Sequence, residues 1–305
     1  MPVKNFLTLE GVTKEELKDI LDLARDHALE RVRAALVGRT VCLAFFEPST
    51  RTAASFELAA KRAGADVISL SEKGSAIQKG ESLLDTVVTL DALGADAVVI
   101  RHPSAGAAAL AARYTDAAIV NAGDGRGQHP TQALLDLYAL SGNLGGFDEL
   151  AGRRVAIVGD ILHSRVARSI IPAFSAAGME VALVAPETLL PHEARAWGLP
   201  ILSTVDDALS WGAEVLYALR LQKERMSGAR IPSVAEYARY YGVAKRHLEA
   251  GALVMHPGPV NRGVEMQGDV VLSDSSLIPT QVASGVTVRS AVLAFAVGVP
   301  QRVVA

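Results

Sequence analysis

Thr40-Val41-Cys42-Leu43-Ala44-Phe45-Phe46-Glu47-Pro48-Ser49-Thr50-Arg51-Thr52-Ala53-Ala54-Ser55-Phe56-Glu57 reads as a strand, a turn and a helix start in succession. Val41 to Phe46 is an unbroken apolar run, the pattern of a strand buried on both faces. Pro48 pre-sets the turn, and an alanine-rich helical stretch follows. Ser49, Thr50, Arg51 and Thr52 therefore fall at a helix start, where backbone N–H groups lack partners and the helix dipole favours an anion. Hydroxyls clustered around a permanently charged guanidinium suit a phosphate. The ordinary alternative is a capping serine beside a solvated arginine. One hydroxyl suffices to cap, and Ser49, Thr50 and Thr52 together exceed that need.

The same alternation runs outward from this stretch. Thr13 and Glu16 fit a capping box ahead of Leu17, Ile20, Leu21 and Ala24 at helical spacing. Strands are expected at Thr40–Phe46, Asp66–Leu70, Ala97–Ile100 and Ala118–Asn121, with helices at 52–63, 81–93 and 106–113 between them. A helix over Thr131–Leu140 ends in a glycine-rich stretch, after which the pattern restarts. There Arg154–Val158, Glu180–Ala185, Val215–Ala218 and Leu253–Met255 read as strands, and Ser164–Ala177 and Gln281–Val297 as helices. Strands separated by helices imply parallel pairing. The expected fold is α/β, with two domains, each a parallel sheet covered by helices on both faces, their boundaries at 1–142 and 143–280, and a final helix after them.

Composition narrows the function. A chain of 305 residues, 50% of them hydrophobic, can build two cores. A net charge of −3 argues against a general nucleic-acid or membrane surface, so an anionic substrate must be drawn by local arginines. Cys42, the single cysteine, cannot form an internal disulfide and suits a small buried hydrophobe. That usage, with no signal-peptide layout and no apolar run of transmembrane length, points to the cytoplasm. Scattered histidines and the absence of cysteine pairs predict no metal, and no nucleotide-hydrolysis loop is present.

Open α/β sheets bind ligands beyond the carboxyl ends of their strands, and the polar motifs cluster there. Arg101-His102-Pro103 follows one strand; a solvated loop arginine is the equal alternative. Asn121 to Gln132 follows another and includes Gly123-Asp124-Gly125-Arg126-Gly127, a weak imitation of a dinucleotide loop with the wrong spacing. His129 within it is, taken alone, an ordinary helix-start histidine. In the second half, Gly159-Asp160 with Ser164-Arg165, and Arg220-Leu221-Gln222, also follow strands. Ser75 and Lys79 lie in a loop before a helix, where composition alone reads the lysine as solvated.

Taken together, Pro48-Ser49-Thr50-Arg51-Thr52 with Ser55-Phe56-Glu57, Arg101-His102-Pro103, His129-Pro130-Thr131-Gln132 and Ser75 to Glu81 resemble the motifs of the aspartate and ornithine carbamoyltransferase family, in order along nearly the whole chain. Within that family, Ser164-Arg165-Val166-Ala167-Arg168-Ser169 and Arg220-Leu221-Gln222-Lys223-Glu224-Arg225 are similar to the aspartate-using members. Ornithine-using members carry a Ser-Met-Gly loop and His-Cys-Leu-Pro. Here Met226-Ser227-Gly228 has another order, and proline stands at 257 in His256-Pro257-Gly258-Pro259.

The resemblance implies transfer of a carbamoyl group from carbamoyl phosphate to L-aspartate, with no cofactor. It implies that residues 1–142 bind carbamoyl phosphate and 143–280 bind aspartate, with the active site between the two domains and the C-terminal helix, 281–305, packing back on the first. Ser49, Thr50, Arg51, Thr52 and Arg101 would hold the phosphate, and Thr52, Arg101 and His129 would polarise the carbonyl. Gln132 and the backbone of Gly258 and Pro259 would orient the carbamoyl NH₂. Arg165, Arg220 and Gln222 would clamp aspartate, with Arg168 structural. Ser75 and Lys79 would reach the site of a neighbouring subunit and bind carbamoyl phosphate there, Lys79 also aspartate, implying a homotrimer; regulatory or dihydroorotase-type partner chains stay open. Ala53 stands where many family members carry arginine, a loss expected to be secondary.

Overall fold

A computed structural model describes residues 4–28, 34–71, 80–222, 231 and 233–298. Ser75, Lys79, Arg225 and the Met226-Ser227-Gly228 stretch lie outside the described residues. The chain divides into two compact units, one running to Leu135 and resuming at Ala283, the other spanning Asp136–Val282.

Unit one opens with α1 (Lys14–Ala28). Its capping box forms as expected: the Thr13 N–H donates to Glu16 Oε2 at 3.0 Å, and the Glu16 N–H to Thr13 Oγ1 at 3.2 Å. Four parallel strands follow: β1 (Thr40–Phe45), β2 (Asp66–Ser71), β3 (Ala97–His102) and β4 (Ala118–Asp124), in the spatial order β2-β1-β3-β4. Between them run α2 (Thr50–Arg62), α3 (Leu83–Ala92) and α4 (Ala107–Ala111), and α5 (Pro130–Asn143) comes after β4. Cys42, Ala44, Val98, Ile100 and Ile119 on the strands pack with Val87, Leu90, Ala108 and Ala111 on the helices.

β1 pairs with β2 on one side and with β3 on the other. The order therefore reverses between β1 and β3. The loops leaving these two strands diverge there and open a crevice at their carboxyl ends.

Unit two repeats the plan with β5 (Arg154–Val158), β6 (Glu180–Val184), β7 (Ile201–Leu202), β8 (Val215–Ala218) and β9 (Leu253–Met255), all parallel, in the order β7-β6-β5-β8-β9. Its helices include α6 (Arg165–Ala176), α7 (Val205–Trp211), α8 (Val234–Tyr241), α9 (Lys245–Glu249) and α10 (Gly268–Val271); α11 (Ile278–Ala296) starts in this unit and from Ala283 onward belongs to unit one. The order reverses between β5 and β8, giving this unit its own crevice. The fold is thus α/β with two parallel sheets covered by helices. No helix among the described residues is long and apolar enough to cross a membrane.

Cys42 sits fully buried in the middle of β1. Burial pushes its thiol up to about 11, because the thiolate is the form that loses hydration. At pH 8 about one molecule in a thousand then carries the reactive thiolate. The expected result is that a water-soluble disulfide reagent leaves the native protein unmodified and reacts fully once it is denatured. Fast stoichiometric reaction of the native form would contradict this burial.

Candidate active site

Three adjacent strands of unit one bring the first group of motifs together. β1 delivers the start of α2. Ser49 takes the cap position with extended backbone (φ −159°, ψ 91°), yet its hydroxyl makes no capping hydrogen bond, and the first turn of α2 carries no acidic residue. The capping alternative thus fails for Ser49, and the helix start stays open to an anion. Arg51 and Thr50 are exposed there, Ser49 is half-buried, and Thr52 is buried. Ala53 is half-buried, and its N–H donates to the Ser49 carbonyl at 3.1 Å.

β3 delivers Arg101 beside β1, in register with Phe45. Its side chain is 12% exposed and braced on two sides. Glu47 Oε1 lies 2.7 Å from Nη2, and Nη1 donates to the Ala122 carbonyl at 3.1 Å. A guanidinium held at both terminal nitrogens is fixed in direction. Glu47 carries no functional signal in the sequence; it meets Arg101 only because β1 and β3 are neighbours.

β4 delivers the loop that ends at His129. Asp124, buried, organises it: Oδ1 accepts from the Gln128 N–H at 2.7 Å and from Asn121 Nδ2 at 3.1 Å. Its Oδ2 accepts from the Gly106 N–H at 2.6 Å, tying this loop to the one after β3. Gly125 lets the two loops touch. Its φ is +49°, and a Cβ there would sit 2.6 Å from both the Pro103 carbonyl and the Ala105 nitrogen. His129 then precedes Pro130 at the first position of α5, where proline's missing N–H costs nothing. His129 and Gln132 are both buried, and the Gln132 N–H donates to the His129 carbonyl at 3.0 Å.

α11 supports this group from below. Arg289 is 4% exposed, and its Nη1 donates to Ser55 Oγ, which in turn donates to the Thr52 carbonyl at 3.1 Å. The guanidinium also lies 5.2 Å from the centre of the Phe56 ring, in cation–π contact. Ser55 and Phe56, quoted as part of the motif, are therefore the underside on which the helix start rests.

In unit two the reversal between β5 and β8 places Arg165 and Arg220. Arg165 begins α6 and is 7% exposed; Ser164 caps that helix by accepting the Ala167 N–H at 3.1 Å. Arg220 and Gln222 are half-buried just past β8. Asp160, fully buried, joins the two segments. Its Oδ1 takes the His163 N–H at 3.2 Å and pairs with His163 Nδ1 at 2.8 Å, while Oδ2 takes the Gln222 N–H at 3.2 Å. Glu265 takes the Leu221 N–H at 2.8 Å and both the backbone and side-chain N–H of Asn261, at 3.0 and 2.8 Å. Burial lifts the Glu265 carboxyl above the ordinary range, and these hydrogen bonds draw it partly back. Gly159 has φ +118°, and a Cβ there would meet Tyr237 Oη at 2.7 Å. Arg168 pairs with Glu193 at 3.2 Å. Gly258 and Pro259 follow β9, the strand next to β8.

Two pairs of cationic groups thus sit at the two strand-order reversals, Arg51 and Arg101 in one unit, Arg165 and Arg220 in the other. Residues 4–141 match the family model for the carbamoyl-P binding domain of aspartate/ornithine carbamoyltransferase, and residues 151–296 match the Asp/Orn binding domain of the same family. The chain belongs to the aspartate/ornithine carbamoyltransferase family. It is 73% identical over 305 residues to an aspartate carbamoyltransferase catalytic subunit from Rubrobacter xylanophilus, covering 100% of both chains. It also resembles the catalytic subunit of M. jannaschii aspartate transcarbamoylase, at 36% identity and a TM-score of 0.83, covering 97% of this chain and 98% of that one. An aspartate transcarbamoylase from Trypanosoma cruzi in complex with N-(phosphonacetyl)-L-aspartic acid gives a TM-score of 0.83 at 30% identity, covering 96% and 95%. The carbamoyltransferase family expected from the motifs is therefore confirmed, and with it the two-domain α/β fold.

Proposed function

We propose that the two crevices divide the substrates of one reaction. The chain is a transferase that moves the carbamoyl group of carbamoyl phosphate to the amine of L-aspartate, giving N-carbamoyl-L-aspartate and phosphate in pyrimidine synthesis. Ser49, Thr50, Arg51, Thr52 and Arg101 hold the phosphate. Thr52, Arg101 and His129 polarise the carbamoyl carbonyl, whose oxygen gains negative charge as the amine attacks, so donors fixed there favour the transition state over the ground state. Gln132 and the backbone of Gly258 and Pro259 orient the carbamoyl NH₂. Arg165, Arg220 and Gln222 hold the aspartate carboxylates and aim its neutral amine. The amine adds to the carbonyl carbon to form the new N–C bond; the C–O bond to phosphate then breaks, and the departing phosphate takes up the proton the amine loses. Catalysis comes from positioning and charge stabilisation by these side chains.

The observation that carries this reading is the paired arginines at each strand-order reversal, Arg51 with Arg101 and Arg165 with Arg220. Residues up to about Gly142 form the carbamoyl-phosphate domain, helped by the C-terminal helix, and 143–280 the aspartate domain. The active unit is a cytoplasmic homotrimer in which Ser75 and Lys79 complete the site of the next subunit. The test combines native mass with complementation. Lys79→Ala and His129→Ala homotrimers are each expected to be nearly inactive, and mixing them after dissociation restores activity at interfaces that pair an intact Lys79 with an intact His129. Native mass proving exchange, with no activity beyond either parent, refutes the shared site. A monomer that is fully active refutes the trimer.

A further inference from the structure

Unit two contains a directed chain of buried hydrogen bonds among residues that none of the motifs above includes for catalysis. Asp136, Tyr217, His256 and Gln281 are each at most 2% exposed. Tyr217 Oη donates to Asp136 Oδ2 at 2.6 Å, and Gln281 Nε2 donates to Asp136 Oδ1 at 2.7 Å. Gln281 Oε1 accepts the His256 backbone N–H at 3.0 Å, and His256 Nδ1 accepts the Gly258 N–H at 2.8 Å.

This chain has a polarity. Both Asp136 oxygens accept, as a carboxylate does, so they draw the NH₂ end of the Gln281 amide. The oxygen end is thereby turned to the His256 N–H. His256 in turn must keep Nδ1 unprotonated to receive the Gly258 N–H. Gln281 anchors the His256 backbone, and from that anchored residue the His256 ring holds the turn at Gly258 and Pro259 through the Gly258 N–H. Buried amides whose partners are undefined can flip, and a half-satisfied network is costly.

We infer that Asp136 is a positioning residue: acting through Gln281 and His256, it fixes the Gly258–Pro259 backbone that recognises the carbamoyl NH₂. The inference rests on the proposed role of that turn. Asparagine at 136 offers a donor as readily as an acceptor, so it no longer dictates which way Gln281 points.

The experiment compares carbamoyl phosphate with acetyl phosphate, which keeps the phosphate and carbonyl and replaces NH₂ by methyl. Dissociation constants are measured by calorimetry on the intact protein. Asp136→Asn is expected to weaken carbamoyl phosphate about five- to tenfold, the worth of one well-made hydrogen bond, and acetyl phosphate by less than about twofold. Gln281→Met cuts the chain at its middle with little change of volume and should show the same selective loss, which keeps the test open if Asp136→Asn folds poorly. Equal weakening of both ligands marks a merely structural role and overturns the inference, as does no weakening at all. Gly258→Ala perturbs the turn directly and separates the two readings. If it alone erases the preference for carbamoyl phosphate, the turn reads the NH₂ and Asp136 does not position it. If none of the three variants alters that preference, the turn does not read the NH₂ and both proposals fall.

Discussion

Arg51→Ala is expected to lower turnover by about 10² to 10⁴ while leaving the fold intact, because a charged contact to a phosphate gaining charge in the transition state is worth several kcal/mol. The structural ground is specific. Arg51 stands at an open helix start with an uncapping Ser49, no acid in the first turn, and Thr50 and Thr52 on either side. Its side chain is exposed, so its removal empties no core, and surface changes of this kind usually shift stability by less than about 0.5 kcal/mol. Denaturant unfolding should therefore be nearly superimposable with that of the unsubstituted protein. Arg51→Lys should fall between the two, since it keeps a charge and loses the planar fork. Initial-rate kinetics at saturating substrate provide the check. Turnover of Arg51→Ala within about threefold of the unsubstituted enzyme would remove the phosphate assignment, since a lost charge-assisted contact of this kind costs more than that.

How much of this was legible in the sequence depends on the range of the interaction. β1, β5, β8 and β9 appear as apolar runs because strands in a parallel sheet are buried on both faces, and the expected spans match the observed ones to within a residue. β3 and β4 extend past their apolar cores into Arg101-His102 and Gly123-Asp124, where polar residues ended the apolar signal while the ladder continued through an irregular register between Ile100 and His102. The two-residue β7 and the short helices α7 to α10 offered too few periods to register. α7 did carry a capping signal that the sequence reading passed over: Thr204 accepts the Asp207 N–H at 3.1 Å.

The site divides the same way. Cationic residues that follow apolar strands stand out locally, and Arg51, Arg101, Arg165 and Arg220 could be named from sequence. The acids that hold the loops could not. Asp160 reaches Gln222 across 62 positions and Glu265 reaches Leu221 across 44. Arg289 reaches Ser55 across 234. Such pairs exist only after strand order has been set, so no window of sequence contains them. They touch backbone amides and hydroxyls, and so hold the segments that carry the arginines.

The second large effect concerns the choice of amino acid. Arg165 and Arg220 present two guanidinium groups held by opposite devices, one at a capped helix start and one on a segment whose next two amides are tied to Glu265 and Asp160. Each guanidinium can take a carboxylate bidentately. Ornithine would instead bring an ammonium to Arg220, and a like-charge contact away from water costs several kcal/mol. Aspartate is therefore expected to be the preferred acceptor by a wide margin, with asparagine poor because it keeps the shape and loses the charge. A mimic joining a phosphonate to an aspartate-like dicarboxylate should bind far more tightly than either substrate, since one ordering cost fills both anion sites. Arg220→Ala should weaken aspartate and this mimic in parallel, by about 10²-fold for a lost charge-assisted pair, while carbamoyl phosphate alone binds as before. The readouts are an acceptor panel with carbamoyl phosphate and titration of the mimic against both proteins. Efficient carbamoylation of ornithine, or normal aspartate affinity in Arg220→Ala, is incompatible with a dicarboxylate clamp at these two arginines. A loss of carbamoyl-phosphate binding in the same variant would instead place Arg220 among the phosphate ligands.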